Sequence, residues 1–170
     1  MNIRQARPED AAMLAEFGRR LFWEAYRGYT ADEKLIAFMN QRYTHENFFK
    51  IISDPTCPTF LAENDHWKGY ASIELNRNNH ASVPPDSSPA YLSLLYVDQE
   101  YHGQGIGATL LDHVCEEVKA RGKDYLWLSV WKITRSPGFY RRMGFGQIGE
   151  IPFTYPDGSF DIDWVMGKWL

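Results

Sequence analysis

Residues 91–111 constrain this chain more than any others. Tyr91-Leu92-Ser93-Leu94-Leu95-Tyr96-Val97 is apolar on both faces of an extended chain, as a central strand covered on two sides requires. His102-Gly103-Gln104-Gly105-Ile106-Gly107-Ala108 then sets three glycines at alternate positions. Ile106, Leu110, Val114 and Val118 follow at every fourth residue, and Leu111 and Cys115 widen them into the apolar stripe of a helix. Gly122 ends that helix, and Tyr125-Leu126-Trp127-Leu128-Ser129-Val130 reads as a second buried strand. A strand, a helix and a strand in this order predict two parallel neighbours joined by a right-handed crossover, and so an α/β fold.

The glycines narrow the chemistry. Successive glycines let backbone N–H groups turn toward one concavity, and the helix N-terminus adds partial positive charge, so the loop suits a pyrophosphate. Gly103-x-Gly105-x-x-Ala108 also satisfies a dinucleotide-binding pattern. Five residues separate Val97 from Gly103, however, where such a glycine should follow its strand directly, and the strand ending at Val130 carries no acidic residue for a ribose. The lysine-bearing phosphate loop of nucleoside triphosphatases is absent from the sequence.

The stretch from Leu95 to Leu111 resembles the acetyl-CoA motif of the GNAT superfamily of N-acetyltransferases, in which an apolar strand and a short loop lead to [Gln/Arg]-x-x-Gly-x-[Gly/Ala] at a helix start. His102 stands where that motif has Gln or Arg. Ser136-Pro137-Gly138-Phe139-Tyr140-Arg141-Arg142-Met143-Gly144-Phe145 is similar to the second signature, with Ile133 and Thr134 near the place of its Asn. Gly149, Phe153, Asp161, Val165 and Met166 resemble the C-terminal strands of the bacterial polyamine-type branch. The resemblance implies acetyl-CoA as co-substrate, held by Leu95, Tyr96, Val97, His102, Gly103, Gln104, Gly105, Ile106, Gly107, Ala108, Ser136 and Phe139. It implies Tyr140 as the catalytic proton donor, no metal, a small-molecule amine acceptor, and an assembly that can include a homodimer. It also implies a strand at Leu95–Val97 that splays from the one near Leu126–Val130, leaving a gap for the pantetheine arm.

The rest of the chain fits a single domain over residues 1–170. A short strand precedes Pro8, and a helix follows it through Leu14, Phe17 and Leu21. Thr30-Ala31-Asp32-Glu33 has a capping-box pattern opening a second helix to about Asn40, and a third piece spans His45 to Ile52. Thr59–Ala62 and Tyr70–Leu75 predict a hairpin, and residues 76–89 a mobile loop poor in apolar side chains. A short helix around Tyr140 precedes strands at Phe145–Ile151 and Phe160–Gly167. The expected architecture is a mixed central sheet of six to seven strands with helices on both faces.

Composition excludes other classes. The chain has 18 Lys and Arg against 22 Asp and Glu, a net charge of −4, which lacks the basic excess of a nucleic-acid binder. Its apolar runs fall far short of the ~20 residues that cross a bilayer, and Met-Asn-Ile-Arg-Gln opens no signal-peptide core, so no membrane partner and a cytoplasmic location are expected. Cys57, Cys115 and the five histidines show no metal-ligand spacing.

Acyl transfer needs a fixed N–H beside the developing oxyanion, a proton for the departing thiolate and a group to deprotonate the amine. The strand edge at Leu95–Val97 can supply the first and Tyr140 the second; Glu74 or Glu24 are the candidates for the third. Phe22, Trp23, Tyr26 and Tyr29, near Glu24, Asp32 and Glu33, suit an amine-bearing cation. Three alternatives stand beside the small-molecule enzyme: acetylation of a protein or peptide amine, a non-catalytic CoA-binding sensor or partner module, and a nucleotide-binding oxidoreductase.

Overall fold

A computed structural model describes residues 1–77 and 79–170; Asn78, within the segment read as a loop, lies outside the described residues. The elements run β1 (Asn2–Gln5), a 3-10 turn (Pro8–Asp10), α1 (Ala11–Tyr26), α2 (Asp32–Arg42), α3 (His45–Ser53), β2 (Thr59–Glu63), β3 (Trp67–Glu74) and β4 (Pro89–Val97). After a second 3-10 turn (Gln99–Tyr101) come α4 (Ile106–Ala120), β5 (Tyr125–Trp131), α5 (Ser136–Arg142), β6 (Gly146–Thr154) and β7 (Phe160–Trp169). The seven strands form one sheet in the order β1-β2-β3-β4-β5-β7-β6. Only β4 and β5 run parallel; the other neighbours are antiparallel.

Alternation along the strands divides the core between the two faces. Phe60, Ala62, Ala71 and Ile73 pack with Leu110, Leu111, Val114 and Val118 of α4. Leu61 and Tyr70, one residue out of phase, pack with Leu14, Leu21, Leu35 and Phe48 from α1, α2 and α3. Leu110, Leu111 and Leu14 are wholly buried; burial of such a side chain contributes roughly 1.5–3 kcal/mol.

β4 breaks the alternation in mid-strand. Ser72 pairs with Leu94 and Ile73 with Leu92, so Ser93 is an extra residue on β4. A one-residue bulge exchanges the two faces beyond it. Ala90 and Leu92 therefore face α4 before the bulge, Leu95 and Val97 face it afterwards, and Leu94 and Tyr96 turn to the side of α1–α3. A bulge also bends its strand, and here β4 parts from β5. The pairs Pro89–Tyr125, Ala90–Leu126 and Tyr91–Trp127 are made, and the two strands separate after the third.

Two local expectations need correction. Thr30 does not cap α2: the cap position is Ala31, which offers no side-chain bond, and the first turn instead has Asp32 and Glu33 to complement the helix dipole. The cap that does form is at α3, where Thr44 Oγ1 accepts from the Asn47 N–H at 3.2 Å. The segment read as a mobile loop is also docked at Val83 and Ser88, contacts its composition did not announce. Val83 is buried against Tyr91, Tyr125, Trp127 and Val165, its N–H donates to His80 O at 2.9 Å, and the Ser88 N–H donates to Asp124 Oδ1 at 2.7 Å. One apolar residue in a polar run is enough to dock it. Among the described residues, no helix is long and apolar enough to cross a membrane.

Candidate active site

The parting of β4 and β5 opens a cleft of about 200 Å³. Its walls include Leu95, Tyr96 and Val97 on the free edge of β4, Ser129 and Val130 on β5, Glu24 from α1, His102, and Ser136 and Tyr140 from α5. Six of the residues singled out in the sequence for the co-substrate or its chemistry thus come together: Leu95, Tyr96, Val97, His102, Ser136 and Tyr140.

The glycine loop lies at the cleft's margin. Gly103 and Gly105 have φ of 77° and 78°, the left-handed region that side chains rarely adopt, and Gly105 is the N-cap of α4. Nothing lies within 4 Å of where a side chain would project from either. The 15-residue helix thus begins behind exposed, unobstructed backbone, the form of an anion cradle. Gln104 is exposed, and Ile106 is turned into the core so that only its backbone can serve a ligand. A side chain at Gly107 would meet the Phe139 ring and Val97 at 3.6 Å, so Phe139 lies close beside the loop, and it is not one of the residues that wall the cleft. His102 Nε2 hydrogen-bonds Val97 O at 3.0 Å, so the imidazole fastens the loop to the end of β4.

Tyr140 is buried, and its burial holds the hydroxyl well above the ordinary phenol range. It stays protonated at neutral pH. The Arg20 guanidinium reaches Glu24 Oε1 at 3.0 Å and Asp98 Oδ2 at 2.5 Å, binding α1 to the end of β4. Burial opposes the charge on Asp98, but Arg20 and the Glu100 N–H hold its carboxyl below the usual range. Glu24 Oε2 is left buried in the cleft wall with no hydrogen-bond partner.

A larger cavity of about 560 Å³ meets this cleft, sharing Tyr26, Ser93, Leu94, Tyr96, Ser129 and Val130 as walls. Of the aromatic and acidic residues read as a cation site, Phe22 and Tyr26 line it, whereas Trp23, Tyr29, Asp32 and Glu33 do not. Glu74 lines it too, but Arg77 Nη1 holds that carboxylate at 3.3 Å and stacks at 4.1 Å over the Tyr91 ring. The acid that sequence reasoning missed is Asp163 on β7. It is 7% exposed and lines the cavity, and burial pushes its carboxyl up to about 6 although the Ser129 hydroxyl favours the charge. No local signal marks it, because a lone Asp in a strand is ordinarily a surface residue. Among the described residues, no group of three or more His, Cys, Asp or Glu side chains could hold a metal ion.

Comparison with known proteins agrees with this geometry. The model of the acetyltransferase (GNAT) family matches residues 16–145. An N-acetyltransferase of Mycobacterium tuberculosis, itself uncharacterized, is 29% identical over 163 residues, 95% of this chain and 98% of that one. The ribosomal protein bS18-alanine N-acetyltransferase of Escherichia coli is 35% identical over 75 residues, 42% of this chain and 51% of that protein. In fold, the PaiA N-acetyltransferase of Thermoplasma acidophilum, crystallised with coenzyme A, superposes with a TM-score of 0.75 at 21% identity, over 99% of this chain and 98% of that one.

Proposed function

This chain belongs to the acetyltransferase (GNAT) family, and from that premise we propose that it transfers an acetyl group from acetyl-CoA to the primary amine of a small molecule, both substrates being bound at once. The observation that carries the reading is the junction of the two cavities. A cleft with a free strand edge and a buried tyrosine adjoins an aromatic chamber, with six wall residues in common. An acyl donor in the one and an acceptor in the other can meet at those residues.

Acetyl-CoA, when bound, supplies an activated acetyl carbon that takes the amine nitrogen as the carbon–sulfur bond breaks. Gly103, Gly105 and the start of α4 offer backbone N–H groups to its pyrophosphate. The edge of β4 beyond Tyr91 offers strand-like hydrogen bonds to the pantetheine arm, and an N–H there faces the developing oxyanion. A fixed donor of this kind lowers a barrier by about 2.7–4 kcal/mol.

Tyr140 donates its proton to the departing sulfur and recovers one from solvent. The reference values are ~8.5 for a thiol and ~10 for a phenol, and burial raises the Tyr140 hydroxyl further, so it is neutral and holds a proton when the thiolate forms. The ammonium gives one proton to a carboxylate on the chamber wall before it attacks, and the nitrogen loses a second to solvent as the amide forms. The aromatic lining and the volume of the chamber, about 560 Å³, support a small acceptor over a protein or peptide amine, and the C-terminal resemblance to the polyamine-type branch places polyamines in the panel that tests it. Thiol release from acetyl-CoA across a panel of amines, with the acetylated product identified by mass, tests the reading. Acetyl-CoA binding with no transfer to any amine would leave only a CoA-binding module.

A further inference from the structure

The walls of the larger cavity are unevenly charged once their partners are considered. Glu74 is held by Arg77, and Lys50 is held by Glu46 at 2.8 Å. Asp163 has neither an ion pair nor a cationic hydrogen-bond donor among the described residues, although it is more than nine-tenths buried. It sits between Trp131 and Ile151 in the sheet, and its near neighbours are the Ser129 hydroxyl, itself 3.0 Å from Tyr91 Oη, and Asp161, which accepts from Tyr155 Oη at 2.7 Å. A buried carboxylate held only by a neutral hydroxyl is costly, and a cation delivered by a ligand relieves that cost.

The surroundings say what kind of cation. Phe22, Tyr26, Phe38, Tyr91, Trp131 and Phe153 line the same cavity. Ring faces attract an ammonium group and give an apolar body a dry surface. A polyamine would need a second free carboxylate at a distance. Among the described residues the other acid lining this cavity is Glu74, which Arg77 neutralises, and Arg42 on the same wall has no ion pair and repels further positive charge; Glu24, whose Oε2 is free, stands in the adjoining cleft.

We propose that Asp163 anchors the acceptor's ammonium group and that the acceptor is a monocationic primary amine on an apolar or aromatic body, not a polyamine. This rests on the acetyltransferase reading for the fate of the amine, but not for its binding. With its carboxyl near 6, Asp163 is ionised at neutral pH and can also accept the proton the amine loses before it attacks.

The test measures binding and turnover separately. 2-Phenylethylamine, its neutral analogue 2-phenylethanol, and spermidine are titrated into the wild type and Asp163→Asn by calorimetry, and the amines are then assayed for thiol release from acetyl-CoA. Phenylethylamine is expected to bind the wild type more tightly than spermidine and to lose roughly 30-fold or more in Asp163→Asn, as when one partner of a buried charge pair is removed. Phenylethanol and acetyl-CoA affinities should not change. Spermidine as the better ligand, an amine affinity indifferent to Asp163→Asn, or no amine binding at all would each overturn the proposal. Amine binding through Asp163 with no acetyl transfer would uphold the site and refute the enzymatic reading instead.

Discussion

Tyr91 and Trp127 are the last residues at which β4 and β5 remain paired, and their rings lie 4.4 Å apart at the point where the strands separate. The cleft begins just beyond them. Trp127 is fully buried and Tyr91 nearly so, both beneath Val83 on the outer side of the sheet. The opening is thus braced by a packed aromatic pair on one side and shaped by the bulge at Ser93 on the other.

Tyr140→Phe keeps the ring that packs edge-on to Phe139 and Phe145 and removes only the hydroxyl. A lost general acid lowers kcat by about 10²–10⁴-fold. Acetyl-CoA affinity should hold, and stability should change by no more than the ~0.5–1.5 kcal/mol of a single hydrogen bond. Single-turnover rates, which separate chemistry from product release, are the deciding measurement; an undiminished rate removes the tyrosine from the mechanism.

At Gly105 the backbone itself decides which substitution is informative. Valine at φ 78° would strain the fold, whereas asparagine tolerates the left-handed region and still projects a side chain over the open cradle. Gly105→Asn is therefore expected to melt near the wild type while its KM for acetyl-CoA rises strongly, with kcat at saturation less affected. Calorimetric melting and steady-state kinetics on the same preparation check both halves.

Asp163 should reduce stability while serving function. Its carboxyl is raised from 3.8 to about 6 by burial, so the folded state is favoured while the group is protonated, and that advantage is lost as pH rises through about 6. The wild type should lose on the order of 3 kcal/mol relative to Asp163→Asn between about pH 4 and pH 6. Denaturant midpoints for both proteins across that range measure it, and a constant difference would show that Asp163 does not titrate as its burial requires.

Asp98 should behave in the opposite sense. Its carboxyl is held below the usual range, so its contribution is present above about pH 4 and fades as pH falls below that. Asp98→Asn, which weakens the bond that joins Arg20 of α1 to the end of β4, is expected to cost about 1–3 kcal/mol at neutral pH and little in acid. Unfolding curves from pH 7 downward would show whether the difference between the two proteins shrinks as pH falls below about 4.

Val83 is the expected hold on its loop. Amide exchange at Val83 should be slower than at Asp86 or Ser87, and Val83→Asp should render residues 79–89 sensitive to protease by removing the one apolar anchor from Tyr91 and Trp127. Equal exchange along the whole segment would return it to the mobile loop its composition suggests.

What the sequence determined by itself was local. The apolar run of β4, the four-residue spacing of α4 and the glycines between them depend on conformations that neighbouring residues set for one another, so the strand, the loop and the parallel partner β5 could be read along the chain. Tyr140 was marked the same way, by its place in a short signature. Asp163 could not be read like this. Its burial comes from β7 lying between β5 and β6, 30 residues or more from much of the cavity wall, and nothing near it in the chain separates it from Asp161, which is tied to Tyr155. The bulge at Ser93 was equally silent, because an extra residue in a strand shows only against the partner it fails to match. The chemistry a single stretch of backbone can hold was written in the sequence. Which charge stands alone in the dark, and which pairs with a neighbour, depends on long-range packing and so was decided by the tertiary structure.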